Sequence, residues 1–351
     1  MKDNKNMERI KELVTKQNYS YIVNYFRSAS LSKASENLYR NYIKLFIEDL
    51  YEIQLESEKI EKGEQINIFK VTKAELRGVL KKLTNEGRST SYISARKSSY
   101  NNLMNFCESE LEDDEVLING KKFINILDKL ETPKGVGKKQ QRVLTKNEVE
   151  KIRATLEEKQ EYCLLSYFEF TYITACRLGE ARQLTRSILD KPKLTDNEGN
   201  KIYDENGNEI IAYETEEIRA KGSGISGKKR NYIITENVME VLKKWENQRA
   251  ERCIEEGVED DCPYVFATFR KGKYNQVSNP TLNVWCAKIA KLSGIEKFEP
   301  HTLRRSRATI LYNDGMPLEK IQKLLGHESS STTQIYIIGS EKKDIIDTLV
   351  F

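Results

Sequence analysis

The sequence predicts a mainly α-helical protein in two domains, with a small β-hairpin sheet confined to the second. Three observations carry that prediction. Apolar residues recur at helical spacing through most of the 351 residues, and two capping boxes, Thr72 with Glu75 and Thr145 with Glu148, open helices in separate halves. One segment, YETEEIRAKGSGISGKKRNYIIT, instead alternates on both sides of a glycine-rich turn, as a hairpin does. Between the halves lies ETPKGVGKKQQRV, whose proline, glycines and basic residues read as an exposed linker. The expected division is a helical domain over residues 1–132, a linker over 133–143 and a second domain over 144–351. A chain this long suits two cores, because single cores stop growing at roughly 250 to 300 residues.

The first domain begins with helical stretches at Met7 to Val14 and Tyr19 to Phe26, followed by an amphipathic run from Ser35 to Tyr51 carrying Leu38, Tyr42, Leu45, Phe46 and Leu50. A fourth helix starts at the Thr72 box, and a fifth carries Tyr92, Ile93, Tyr100, Leu103, Met104 and Phe106. Arg88, Arg96 and Lys97 lie on polar faces suited to phosphate contacts, although a solvated helix face accounts for them equally. In the linker Lys138, Lys139 and Arg142 have the charge to clamp a nucleic-acid backbone, or to stay in water.

The second domain opens at the Thr145 box. Tyr162 to Thr174 is apolar on all sides and reads as a buried helix, ending in TACRLGEARQLT, where Arg177 and Glu180 stand three apart. Residues 190–213 form a polar insertion with two similar turn pieces, Asp196 to Asn200 and Asp204 to Asn208. Neither has the ligand order of a calcium loop, and Asn206-Gly207 suits a hairpin turn. The alternating segment after it is a hairpin bearing Lys221, Lys228, Lys229 and Arg230. Helices over Asn237 to Arg252 and Asn279 to Leu292 flank a single strand at Tyr264 to Phe269, and the chain from Pro300 is helical again.

Composition narrows the class without naming a chemistry. Charged residues make up 32% and hydrophobic ones 38%, and no apolar run approaches the roughly 20 residues a membrane span needs. Charges interrupt the N-terminal stretch where a signal peptide has its apolar core, so a cytoplasmic location and no membrane partner are expected. Six scattered cysteines lack metal-ligand spacing and read as reduced packing residues. The net charge of +4, from 58 basic against 54 acidic residues, leaves any nucleic-acid surface to be local.

The two histidines of the chain both fall between Pro300 and Tyr336: His301 with Arg304 three residues on, and His327 with Tyr336 nine residues on. Leu303 and Ile310 mark the core side of that helix, so His301 and Arg304 are expected to point together away from the core. Alone such a pair is an ordinary surface feature. With Arg177, Lys221, His327 and Tyr336 added, the set holds permanent cations, a titratable base and a phenol, without paired carboxylates. Arginines match the non-bridging oxygens of a phosphodiester and stabilise the extra charge of its transition state. A phenol of pKa near 10 needs such cations, and a base, to act as nucleophile. A hairpin lysine can protonate a departing sugar hydroxyl. No Asp/Glu/His cluster suggests a metal-dependent nuclease, and no cofactor is expected.

These residues resemble the tyrosine recombinases, the phage-integrase and Xer-type site-specific recombinases. The resemblance is carried by ACRLGEARQLT, RAKGSG, HTLRRSRAT and LLGHESSSTTQIY, over about Leu144 to Tyr336; the N-terminal helices are similar to that family's core-binding domain in size and helicity only. It implies a helical core-binding domain followed by a tyrosine-recombinase catalytic domain. It further implies that Tyr336 forms a 3′-phosphotyrosyl link to DNA, that Arg177, Arg304 and His327 hold the phosphate, that Lys221 is the general acid and His301 an assisting base, and that Glu180 orients its neighbours. The partners implied are double-stranded DNA at a specific site and further copies of the chain, as a tetramer on two paired sites. Ile345, Ile346, Leu349 and Val350, at helical spacing after Tyr336, suit docking on a neighbouring subunit or on their own domain.

Lys228 or Lys229 remain alternatives to Lys221, because the SGISGKK turn is longer than is common in the family. Arg305 stands where relatives often have a second histidine and is read as a phosphate contact or a surface charge; Cys176 and Tyr312 are read as packing residues. Two other activities also stay open: type IB topoisomerase-like cleavage and resealing, or a catalytically silent DNA-binding accessory protein.

Overall fold

Both predicted capping boxes close. Thr72 Oγ1 accepts from the Glu75 N–H at 3.3 Å while Glu75 takes the Thr72 N–H at 2.5 Å, and Thr145 with Glu148 repeats the exchange at 3.2 and 2.9 Å. Each box therefore satisfies amide groups that the first helical turn leaves without partners. The computed structural model describes residues 2–111, 123–135, 141–204, 206–220 and 228–326. It divides into two units, Met1–Gln140 and Gln141–Phe351.

The first unit is built from α1 (Lys2–Leu13), α2 (Lys16–Ser28), α3 (Lys33–Glu56), α4 (Lys73–Asn85) and α5 (Thr90–Glu110). Hydroxyls of Thr15, Ser32 and Ser89 cap the second, third and fifth of these. The centre lies between α3 and α5, where Phe46 stacks on Tyr100 with centroids 4.3 Å apart and Ile43, Ile47, Leu50, Ile93 and Leu103 are buried. Arg96 is a correction to its expected polar face: it is 4% exposed and its guanidinium is paired with Asp49. Arg96 falls on the same helical stripe as the buried Ile93, Tyr100, Leu103 and Cys107, and Asp49 on α3 gives its charge a partner there. Lys97 is half-buried and donates to the Leu130 carbonyl. Gly135 lies against this unit, its N–H on Thr90 Oγ1 at 2.9 Å, and a Cβ there would stand 2.2 Å from the Arg88 carbonyl oxygen.

The second unit forms around α7 (Tyr162–Thr174), which is apolar all round and therefore buried all round. It packs on α6 (Lys146–Glu158), α9 (Glu236–Glu256) and α11 (Pro300–Asn313). Tyr167 meets Phe266 and Trp285 edge to face, each at 5.6 Å. The predicted hairpin is an antiparallel arm of two short ladders, β1 (Ala212–Glu214) with β4 (Ile233–Thr235) and β2 (Ile218–Ala220) with β3 (Lys228–Arg230). The insertion before it holds two turns of the same design, in which Asp196 and Asp204 carboxylates accept from backbone amides two and four residues on.

The strand expected alone at Tyr264 to Phe269 is half of a second hairpin, β5 (Ala267–Arg270) with β6 (Lys273–Gln276). Its turn residues Lys271 and Gly272 both have positive φ, 53° and 74°, as the tight hairpin turn requires; Lys-Gly signals that turn more weakly than Asn-Gly. The remaining helices are α8 (Leu178–Ala181), α10 (Asn279–Leu292) and α12 (Leu318–Leu325). Ala308, Leu311, Ile321 and Leu325 form a separate apolar cluster with Ala175, which seats α12 against α11 and the end of α7, and Tyr312 packs on it. Among the described residues no helix is long and apolar enough to cross a membrane.

Candidate active site

The site begins where α7 stops. Ala175 adopts left-handed backbone geometry, φ 48° and ψ 29°, at full burial. For a residue with a Cβ this conformation costs roughly 1 to 2 kcal/mol. It turns the chain so that the Ala175 carbonyl accepts from Arg304 Nη1 at 2.6 Å. Cys176 follows, its thiol pushed up to about 12 by burial and so held protonated, which fits a packing residue.

Arg177 then caps α8. Its backbone N–H donates to Glu180 Oε2 at 2.6 Å and its Nη1 to Glu180 Oε1 at 3.1 Å. The Glu180 side chain is 2% exposed, and Tyr232 Oη donates to it at 2.5 Å. Burial alone would raise the carboxyl's pKa; the bonds from Tyr232 and from both groups of Arg177 outweigh it and hold Glu180 below its ordinary value of 4.5. The anion is thus fixed on three sides, and with it the direction in which Arg177 leaves the helix.

Arg304 departs from expectation. The sequence places it beside His301 on the outer side of α11, yet it is 1% exposed, with Nη1 on Ala175 O and Nη2 on Leu325 O, both at 2.6 Å. The reason is tertiary: the ends of α7 and α12 each present a carbonyl at that position, and an arginine buries readily where such acceptors meet its planar fork. His301 keeps an exposed surface at the start of the helix. Partial desolvation, then the positive charges of Arg304, Arg305 and Arg177, lower its imidazole below 6.5, against a weaker opposite pull from Glu299. It is therefore a neutral base at neutral pH, with three arginines near it.

Arg230 lies across the end of α12. Its Nη1 donates to Leu325 O at 3.1 Å, its Nη2 to Leu324 O at 2.8 Å and to Lys323 O at 3.4 Å, and its guanidinium carbon sits 4.6 Å from the centroid of the Tyr232 ring. Lys228 and Lys229 are exposed, Lys229 facing Glu217 at 2.7 Å. Arg305 donates to the Arg142 carbonyl at 3.1 Å, and Arg142 itself is bonded to Glu148 and to the Glu296 carbonyl. Lys138, Lys139, Lys221, His327, Tyr336 and the apolar tail positions lie outside the described residues. Among the described residues no group of three or more His, Cys, Asp or Glu side chains is placed to hold a metal ion.

The structure thus brings Arg177, Glu180, His301, Arg304 and Arg305 together and adds three parts that the motifs did not indicate: the Ala175 carbonyl, Tyr232 and an inward-facing Arg230. Tyr232 stands in an ordinary strand sequence, and only the crossing of the hairpin arm over α8 gives its hydroxyl a carboxylate to meet.

The sequence matches the Phage integrase family over residues 142–342. The tyrosine recombinase XerC of Corynebacterium glutamicum is 31% identical over 133 residues, which are 38% of this chain and 40% of that protein. A tyrosine recombinase of Thermosipho africanus is 26% identical over 295 residues, 82% of this chain and 87% of its own. The alignments thus span about two fifths of the first relative and most of the second. Among solved structures, XerH site-specific recombinase bound to palindromic difH substrate in a post-cleavage complex has a TM-score of 0.63 at 19% identity, covering 93% of this chain and 86% of that one, a likeness of fold.

Proposed function

The chain belongs to the phage integrase family of tyrosine recombinases, and from that premise we propose that it is a site-specific DNA recombinase working through a 3′-phosphotyrosyl intermediate. Tyr336 attacks the scissile phosphorus. A bond from phosphorus to the tyrosine oxygen forms as the bond to the 5′ sugar oxygen breaks, the phenolic proton passes toward His301, and Lys221 protonates the departing 5′ oxygen, which leaves as the hydroxyl. Arg177, Arg304 and His327 hold the non-bridging oxygens, where cations favour the more highly charged transition state over the ground state. Arg304, whose Nη1 and Nη2 are anchored on the Ala175 and Leu325 carbonyls, acts there through its remaining N–H groups and its charge. The phosphodiester energy is kept in the protein–DNA link, so attack by a 5′-hydroxyl of another strand rejoins DNA without ATP or a metal ion.

The partner is double-stranded DNA at a specific site, bound by a core-binding domain of residues 1–132 and by a catalytic domain of 144–351. Lys138, Lys139, Lys228 and Lys229 supply backbone contacts, and four copies act on two paired sites with the tail of one docking on the next. The protein works in the cytoplasm. The observation that supports this most is that Arg304 on α11 donates to the Ala175 carbonyl, two residues before Arg177 at the start of α8, which brings the two arginines and His301 together from segments far apart in sequence.

A nicked suicide duplex, which loses its 5′-hydroxyl fragment after cleavage, tests the reading. The expected result is a covalent protein–DNA adduct that Tyr336→Phe abolishes; an adduct that survives the substitution moves the nucleophile elsewhere. Exchange between two sites on one plasmid without ATP separates recombination from resealing of the same strand.

A further inference from the structure

We propose that Arg230 is a positioning residue of the cleavage site, holding the end of α12 in place beside Arg304, and that it makes no contact with DNA. The proposal rests on the recombinase reading and deepens it, because sequence alone makes Arg230 one more cation of a basic hairpin.

Its neighbours Lys228 and Lys229 are exposed, whereas Arg230 is half-buried and turns inward. It donates to the carbonyls of Lys323, Leu324 and Leu325, the last three residues of α12. The last carbonyls of a helix have no N–H four residues on within the helix and carry the negative end of its dipole, so a cation there is doubly favoured; of the three, Lys323 O also takes the Gly326 N–H at 3.1 Å. Leu325 O is also the acceptor of Arg304 Nη2. The two guanidinium groups therefore share one oxygen, and any movement of that oxygen moves the acceptor that orients Arg304.

On its other side Arg230 is connected to Arg177 through Tyr232 and Glu180. Its guanidinium lies on the Tyr232 ring, Tyr232 Oη holds Glu180, and Glu180 holds Arg177 through both backbone and side chain. One residue of the hairpin arm thus touches the supports of Arg177 and of Arg304. Gly326 shows how close the fit is: at φ 63° it ends α12 in left-handed geometry, and a Cβ there would stand 2.2 Å from Arg230 Nη1. In sequence the next residue is His327.

The test compares Arg230→Ala and Arg230→Lys with the unaltered full-length chain on the nicked suicide duplex, under single turnover at saturating protein. The expected result is a cleavage rate about 10- to 100-fold lower for Arg230→Ala, as for small displacements of catalytic groups, and intermediate for Arg230→Lys, which keeps the charge but not the fork. The slope of log affinity against log salt stays unchanged, because no phosphate contact is lost.

A cleavage rate equal to that of the unaltered chain overturns the proposal, as does a slope shallower by about 1, the mark of a lost phosphate contact. Rates are taken per folded molecule from the burst of adduct; a variant that merely unfolds more easily keeps its rate and counts against a positioning role. Gly326→Ala, made with and without Arg230→Ala, adds a double-mutant cycle. Strong non-additivity supports the contact, and simple additivity removes it. If the unaltered chain forms no adduct at all, the recombinase reading fails first and the proposal with it, whereas an adduct with normal Arg230→Ala kinetics sinks the proposal alone.

Discussion

The surroundings of Arg96 in the first unit and of Arg230 in the second show two ways of turning a surface-like arginine inward. Arg96 meets a carboxylate, Asp49, inside a helical core, and the two charges close on each other. Arg230 meets the carbonyl end of a helix, where the acceptors carry partial charges only and the arginine orients what it touches. The first arrangement fastens α5 to α3. The second connects the hairpin arm, α8 and α12, which are the elements that carry Arg177 and the acceptor of Arg304. The difference teaches that the same residue type serves stability or site geometry according to whether its partner is a charge or a helix terminus.

The contrast breaks most visibly at Arg96. Arg96→Ala leaves Asp49 with Lys82, 2.9 Å away, as its remaining cation and is expected to destabilise the first unit by about 1 to 3 kcal/mol in denaturant titration. If unfolding is unmoved, the pair is not buried as described and the comparison loses one side.

A middle-sized effect sharpens the other side. Desolvation and the neighbouring arginines hold the His301 pKa below 6.5, so the unfolded chain binds more protons than the folded one between those values. Stability therefore declines as pH falls below 6.5, and the neutral base persists into that range. Single-turnover cleavage is expected to hold its plateau on acidification past pH 6.5 and to fall only further down. An acid limb centred at or above 6.5 would show that the arginine field is not felt by the imidazole.

The smallest effect falls on Lys229, exposed and paired with Glu217. Lys229→Ala is expected to change stability by no more than about 0.5 kcal/mol, yet to make the salt dependence of DNA affinity shallower by about 1. Set beside Arg230, two residues of one strand then act oppositely: loss of one weakens DNA binding with little effect on chemistry, and loss of the other does the reverse.

Much of this was open to reading from local pattern. Capping boxes at Thr72 and Thr145, the all-apolar α7 and the glycine-flanked arm announce themselves within a few residues, since helix starts, burial and hairpin turns are governed by neighbours in the chain. The motif segments around Arg177 and His301 were legible for the same reason. The buried position of Arg304 was not, because its acceptors come from α7 and α12, and helical periodicity on α11 shows only which neighbours share a face. Nor was the second strand of the β5–β6 hairpin, whose Lys-Gly turn is a weak signal, or the service of Tyr232 to Glu180 across the arm.

Residue type and spacing along the chain thus set the helices, the arm and the chemical inventory of the site, because those depend on torsional preference and on contacts a few residues apart. The direction each arginine faces was left to the packed fold: a guanidinium turns toward whichever acceptors meet its fork, and Asp49, the Ala175 carbonyl and the end of α12 reach those positions only after distant helices have packed.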